Sequence, residues 1–203
     1  MNLAELIAGV KTVVNRQDLT AQVDLAVKQS TLKLHHTDYY YRDLFETGLM
    51  FGSAAFIQQA DIKSLIPRWR ANKYLRKSDV NGALGDFFEI IVPEHVLDSY
   101  NVQREDVYYV GGDILQVKSS TSFQYALYGC YRHPDITDLG YSSFIAVDFP
   151  YAIITDAAAS VFKRIGKDSE SAELRMEVWG DPTKKRRGMV DDIRDSNVSA
   201  QGY

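Results

Sequence analysis

Two adjacent histidines and a nearby carboxylate, in the segment His35-His36-Thr37-Asp38, are the side chains of this sequence best suited to bind a metal ion. Imidazole and carboxylate groups suit zinc or iron, so a small metal-dependent hydrolase is one hypothesis. Adjacent residues on a helix point about 100° apart, however, whereas a shared ligand set needs a spacing of three or four residues. The segment therefore favours histidines at an interface or at the edge of a core.

Other residues that could perform chemistry lack the neighbours that the chemistry requires. Cys130 is the single cysteine, and without a second thiol it forms neither an internal disulfide nor a zinc site of paired thiolates. Gly111-Gly112 leads into a strand pattern and not into the helix of a phosphate-binding loop. Carboxylate pairs such as Glu105-Asp106 lie in turn-like sequence. These residues predict a protein without enzymatic activity, cofactor or metal.

A basic segment with aromatic neighbours runs from Lys63 to Lys77 and contains no acidic residue. The following segment, from Asp86 to Asp113, is rich in acidic residues, and two patches of opposite sign favour contact between neighbouring copies. The basic segment also supports an alternative, a monomeric nucleic-acid-binding module in which cations contact phosphates and the rings of Trp69 and Tyr74 stack on bases. The cations of this patch, facing DNA or a charged neighbour, are Arg68, Arg70, Lys73 and Arg76.

Hydrophobic periodicity predicts helices at both ends of the chain. The first covers Leu3 to Val14, and a second is predicted from Asp18, as N-cap, to about His36. Late in the chain, Pro150 opens a helix that ends before Gly166, and another helix is predicted from Ser169 to Trp179. Between them, the aromatic, alternating sequence from Tyr39 to Tyr131 predicts strands, including a hairpin of Val107–Val110 and Ile114–Val117.

Two of these helices carry apolar residues on more than one side. Leu25 and Leu32 lie nearly opposite the main apolar stripe of the second helix, and Leu174 and Val178 form a second face on the last. Soluble monomers avoid exposing such patches, so we expect other copies of the chain to cover them. The alternative is that each helix is enclosed by its own chain. The predicted oligomer interface consists of Leu25, Leu32, His36, Leu174 and Val178.

The last 21 residues, from Thr183 to Tyr203, contain few sizeable apolar side chains, too few to order the segment by itself. We therefore expect an extended C-terminal arm, residues 181–203, that becomes ordered on a partner. The residues predicted to dock are Lys184, Lys185, Arg186, Arg187, Met189, Ile193 and Tyr203.

Composition limits the class of protein without identifying it. The chain has 203 residues, 45% of them hydrophobic, and a net charge of −4, which predicts one soluble globular domain with no global attraction to nucleic acid. Its start has no basic leader, and no stretch approaches the length of apolar sequence that crosses a membrane. We expect synthesis in a reducing cytoplasm.

The order of these features resembles the head-to-tail adaptor, or neck, proteins of tailed bacteriophages. The resemblance covers roughly residues 1 to 180 and is one of texture and order. The segments that carry it are Asn15-Arg16-Gln17-Asp18-Leu19, Lys28 to Asp38 leading into Tyr39-Tyr40-Tyr41-Arg42-Asp43-Leu44, Ile66-Pro67-Arg68-Trp69-Arg70, Phe149-Pro150-Tyr151-Ala152-Ile153-Ile154 and Phe162-Lys163-Arg164-Ile165-Gly166.

The resemblance implies an α+β fold in which a helical bundle, residues 1–38 and 144–180, surrounds a central antiparallel β insertion, residues 39–143, within one adaptor domain, residues 1–180. It implies a ring, typically of twelve copies, beneath the portal protein, with the segment 181–203 docked on the portal. A tail-side neck or tail protein and transiently the packaged double-stranded DNA would be the other partners. The expected location is the head-tail junction of the virion, with no membrane contact.

Overall fold

The computed structural model describes residues 1–96, 102–181 and 183–200. The chain forms two compact units, and we call them the helical unit, Met1–Asp43 with His133–Tyr203, and the β unit, Leu44–Arg132. Across the described residues, no helix combines the length and the apolar character needed to span a bilayer.

The described residues contain seven α-helices and five strands. The helices are α1 (Leu3–Val14), α2 (Thr20–His35), α3 (Ile62–Leu65), α4 (Phe144–Asp148), α5 (Pro150–Arg164), α6 (Asp168–Trp179) and α7 (Met189–Ala200). The strands are β1 (Leu44–Asp61), β2 (Trp69–Ser78), β3 (Leu84–Ile90), β4 (Val107–Gly111) and β5 (Ile114–Arg132).

The helix termini follow local sequence signals. Asn2 caps α1 in a reciprocal pair with Glu5, and Asn15 ends that helix in the left-handed conformation. Gly166 follows α5 with a φ of 77°, which confirms the predicted stop. The prediction of Asp18 as N-cap is wrong, because Asp18 lies in a short 3₁₀ turn, where its carboxylate pairs with Arg16, and α2 begins at Thr20.

The core of the helical unit is built around α5, which buries most of its circumference. Small residues make this possible, since Ala152, Ala157 and Ala158 allow the neighbouring helices to approach closely. The helices α1, α2 and α6 all pack on α5. The buried residues that α1, α2, α6 and α7 contribute include Leu6, Val10, Val23, Val27, Leu34, Val178, Val190 and Ile193.

The strands of the β unit close into a small barrel. Their order is β1-β5-β2-β3-β4, and β4 pairs in turn with β5, so β2 to β5 form a closed ring. Strand β1 pairs along the other edge of β5. The β3–β4 pair is parallel and short, and the other pairs are antiparallel. The predicted hairpin of β4 and β5 is confirmed.

Strand β5 is longer than its sequence pattern suggests, because it continues through the polar residues Ser119 to Ser122. Asp106 stabilises this stretch, accepting hydrogen bonds from the Ser120 N–H at 3.1 Å, from the Ser120 hydroxyl at 2.6 Å and from Lys77 at 2.8 Å. Burial raises the pKa of Asp106, but these bonds outweigh it and hold the pKa well below its usual value. A carboxylate thus holds the irregular centre of a long strand.

The predicted fold class is wrong, although the structure is α+β. The helices are spread through the chain and do not form a terminal bundle of residues 1–38 and 144–180, since α3 lies in the β region and α7 in the segment 181–203. Barrel closure and the parallel pair replace the expected antiparallel insertion of residues 39–143. The described part of 181–203 is not an extended arm, because α7 buries Val190 and Ile193 in the helical core.

Candidate assembly surface

The helical unit exposes apolar side chains on most of its long helices. Leu25 on α2 is 45% exposed, Val13 on α1 and Met176 on α6 have similar exposure, and Tyr151 on α5 is more exposed still. The packing of α2 explains why Leu25 is exposed. The apolar stripe of this helix is buried in the core and consists of Val23, Ala26, Val27 and Leu34, and Leu25 lies on the other side. The outward position of Leu25 agrees with the sequence pattern.

The other predicted interface residues are covered to different degrees by their own chain. Val178 is fully buried in the core of the helical unit, and Leu174 packs partly against that core. Leu32 is half-buried, and His36 is exposed with its Nε2 2.9 Å from Nδ1 of His133. The sequence pattern overestimates the apolar surface that the chain leaves uncovered, because the side of α6 that carries Val178 is buried in the chain's own core. Of the four predicted apolar residues, Leu25 is the most exposed.

The basic residues predicted to dock an arm lie on a short turn before α7. Asp181 and Arg186 exchange two backbone hydrogen bonds across this turn, at 2.9 and 3.1 Å. The Asp181 carboxylate accepts from the N–H of Thr183 at 2.9 Å and from its hydroxyl at 2.6 Å. These bonds fix the turn, and Lys184, Lys185 and Arg186 are exposed on it.

The apolar residues of the predicted arm serve the protein's own core instead. Ile193 is fully buried and Met189 is half-buried against the helical core. Arg187 pairs with Asp192 and Asp195 on α7, so its charge is used within the segment. Tyr203 lies outside the described residues. Within the described part of this segment, the exposed basic turn is what remains for a docking role.

Some cations of the predicted basic patch contact other residues of the β unit. Arg76 donates from Nε to the Gly85 carbonyl at 2.6 Å and stacks over the Phe87 ring. Lys73 lies over the Tyr131 ring, and the β2–β5 register skips both Arg70 and Lys73, which places them at bulges. Arg68, just before β2, has a left-handed backbone with a φ of 66°.

The aromatic residues proposed to stack on bases are also engaged. The Trp69 indole donates to the Tyr128 hydroxyl at 2.9 Å, and the Tyr74 hydroxyl donates to Glu46. Of the opposite charges expected to meet between copies, Lys77 pairs with Asp106 inside one chain. Several side chains of this patch therefore contact carbonyl groups, carboxylates and aromatic rings of their own chain.

The two histidines of the metal-like segment point to different partners, as their spacing predicts. His35 is fully buried, and its Nδ1 lies 2.7 Å from Asp43, whereas His36 faces His133. Asp38 instead accepts a hydrogen bond from the Tyr39 N–H at 2.7 Å. Among the described residues, no group of three or more His, Cys, Asp or Glu side chains is placed to hold a metal ion.

Sequence reasoning missed a buried carboxylate at the centre of the helical unit. Asp156 of α5 accepts hydrogen bonds from the Ser30 hydroxyl at 2.7 Å, the Lys33 ammonium at 2.9 Å and the Trp179 indole at 2.7 Å. Burial raises its pKa, but the three donors outweigh burial and hold the pKa below its usual value. The available signal was a single carboxylate among the alanines of an otherwise apolar helix.

The network around Asp156 joins three helices and is structural in character. Lys33 on α2 also lies 3.9 Å from the centre of the Trp179 ring, which ends α6. Ser30 and Lys33 therefore hold α2 against α5, and Trp179 holds α6 against it.

No known protein-family model matches this sequence, and no curated protein matches it significantly.

Proposed function

We propose that this chain is a non-enzymatic structural protein of a tailed-phage virion, a head-to-tail adaptor that forms a ring below the portal protein. In this role the ring extends the DNA channel and joins the portal to a tail-side neck or tail protein. The proposal rests on the resemblance in the order of sequence features and on one property of the structure, the exposed apolar side chains of the helical unit.

Those side chains support a ring because they lie on different helices. A ring with more than two copies needs two different surfaces on each copy, one for each neighbour, whereas a two-fold dimer needs only one. Leu25 on α2, Val13 on α1 and Met176 on α6 give the helical unit apolar residues on separate elements. Contact between copies would remove these residues from water.

The basic turn before α7 supports a portal contact of a different kind from the expected arm. Lys184, Lys185 and Arg186 are exposed on a turn that hydrogen bonds to Asp181 hold in place. Three cations on a turn whose backbone is already ordered favour an acidic protein surface, because binding need not order that backbone. We expect Lys185→Glu to weaken association with portal and leave the mass of the portal-free assembly unchanged.

Light scattering of the purified full-length chain, alone and mixed with portal protein, tests the proposal. A mass of many copies in either condition is expected, and a mass of one copy in both would overturn it. Leu25→Glu should reduce the assembled mass, because it places a charge in an apolar contact. Gln22→Glu is the matched control, since it adds a charge at another exposed position of the same helix.

A further inference from the structure

Strand β1 presents a long edge without a paired neighbour among the described residues. It has 18 residues and pairs with β5 on one side, and the described strands show no pairing on its other side. Its length is about three times that of a common strand. A strand edge of this kind presents a row of N–H and C=O groups that can pair with another chain.

The composition of β1 makes this edge receptive to pairing. From Thr47 to Ala60 it contains no charged residue and no proline, two of the features that protect an edge strand from pairing. Met50 is 72% exposed, and Phe56 and Ile57 are more than half exposed. The register shifts between Met50 and Ile57 divide the edge into two regular segments, of which Leu44–Met50 is in continuous register with β5.

Among the strands that the structure describes, the first part of β3 is a second edge of the β unit with a neighbour on one side only. Residues Leu84 to Phe88 neighbour β2 on one side, and the pairing of β3 with β4 involves only Glu89 and Ile90. Leu84 and Phe87 are both about half exposed. Each copy therefore carries two different strand edges with apolar side chains beside them.

We propose that copies of this chain join by strand addition, with the free edge of β1 in one copy paired to the open edge of β3 in the next. This inference rests on the proposed ring, because it names the elements through which the ring is built. Pairing β1 with β1 would give a two-fold dimer, which uses up the edge and stops growth. Pairing β1 with β3 leaves one open edge of each kind on every growing chain of copies, as a ring requires.

Charged substitutions at the two edges test the proposal in the condition in which the wild-type chain assembles. Met50→Lys on β1 and Leu84→Lys on β3 each place a charge beside the backbone contact, and we expect each to weaken association at least about tenfold. Val80→Lys is the control, because Val80 is as exposed as Met50 but lies in the turn between β2 and β3. Circular dichroism of each variant checks that the fold is kept.

Chemical cross-linking identifies which edges meet. The native Cys130 is buried, so cysteines introduced at exposed positions would carry the reaction. A bis-maleimide with a spacer of about 10 Å bridges a register offset of about three residues. The double variant Met50→Cys with Leu84→Cys should give a ladder of cross-linked multimers, and each single variant should give no more than a trace of dimer.

The outcomes separate this inference from the proposed function. If the wild-type chain assembles but the edge variants assemble equally well and no ladder forms, the strand addition is wrong and the ring proposal stands. Efficient dimer from Met50→Cys alone would show β1 paired with β1 and overturn the β1–β3 contact. A loss caused by Met50→Lys but not by Leu84→Lys would mean that another partner occupies the β1 edge. A wild-type chain that stays a single copy overturns both proposals.

Discussion

Replacing Ile193 by alanine measures whether α7 belongs to the folded core or to a docking arm. The Ile193 side chain is fully buried in the helical core, so the change removes buried methyl and methylene groups and leaves a cavity. Substitutions of this kind cost about 2–5 kcal/mol, and we expect about 3 kcal/mol here, since α7 is the last helix and can adjust. In a chain of this size that lowers Tm by about 6–12 °C.

Urea unfolding followed by far-UV circular dichroism is the suitable assay, because the helical unit dominates that signal. Val198→Ala is the matched control on the same helix, since Val198 is exposed, and we expect it to change the unfolding free energy by less than about 0.5 kcal/mol. If Ile193→Ala is no more destabilising than Val198→Ala, α7 does not pack on the core in solution and the segment is an arm after all.

Three further changes test other features of the fold. Asp156→Asn should destabilise the helical unit by about 2–3 kcal/mol at neutral pH. Because folding lowers the pKa of Asp156, its contribution is complete above about pH 4 and is lost as the pH falls through the folded value, so urea titrations should show wild type and variant converging in acid. Gly188→Ala should lower Tm markedly in a thermal melt, since a Cβ there would overlap the Gly180 nitrogen and the Val178 carbonyl. Cys130 should react with a thiol reagent only on unfolding, because it is buried and burial raises its pKa to about 11.

Each of these three has a result that would contradict its reasoning. A stability difference for Asp156→Asn that does not shrink in acid would mean that the carboxylate is not charged in the folded state. A Gly188→Ala variant with wild-type Tm would show that the turn before α7 can shift to make room for a Cβ. Reaction of Cys130 at the rate of a free thiol in the native protein would place that thiol outside the barrel core.

The sequence predicted most reliably those elements whose signals are local. The helix α5 follows from apolar spacing, Pro150 in its first turn and Gly166 after its end, and all three are found in the structure. The β4–β5 hairpin follows similarly from two apolar segments around Gly111-Gly112-Asp113. Such signals depend on residues a few positions apart, so no knowledge of the tertiary fold is needed.

The features that the sequence did not predict depend on contacts between residues far apart in the chain. The polar composition of residues 183–203 did not predict α7. Few apolar residues suffice for this helix, because Val190 and Ile193 pack on a core to which the other helices contribute most of the residues. Barrel closure depends on β5, whose centre, Ser119 to Ser122, lacks the apolar alternation of a strand and is held by the carboxylate of Asp106. The Asp156 network likewise joins α2, α5 and α6, and no local pattern specifies its partners.

The two proposed contacts between copies lie in different units of the chain, which allows them to be tested against each other. Leu25 belongs to the helical unit and Met50 to the β unit, so each substitution acts in a different compact unit of the chain. Sites that act independently of each other have additive effects on free energy. If Leu25→Glu and Met50→Lys weaken association additively, both units contribute contacts to the same assembled state. If either variant alone abolishes assembly to the level of the double variant, assembly depends on the two contacts forming together, as closure of a ring requires.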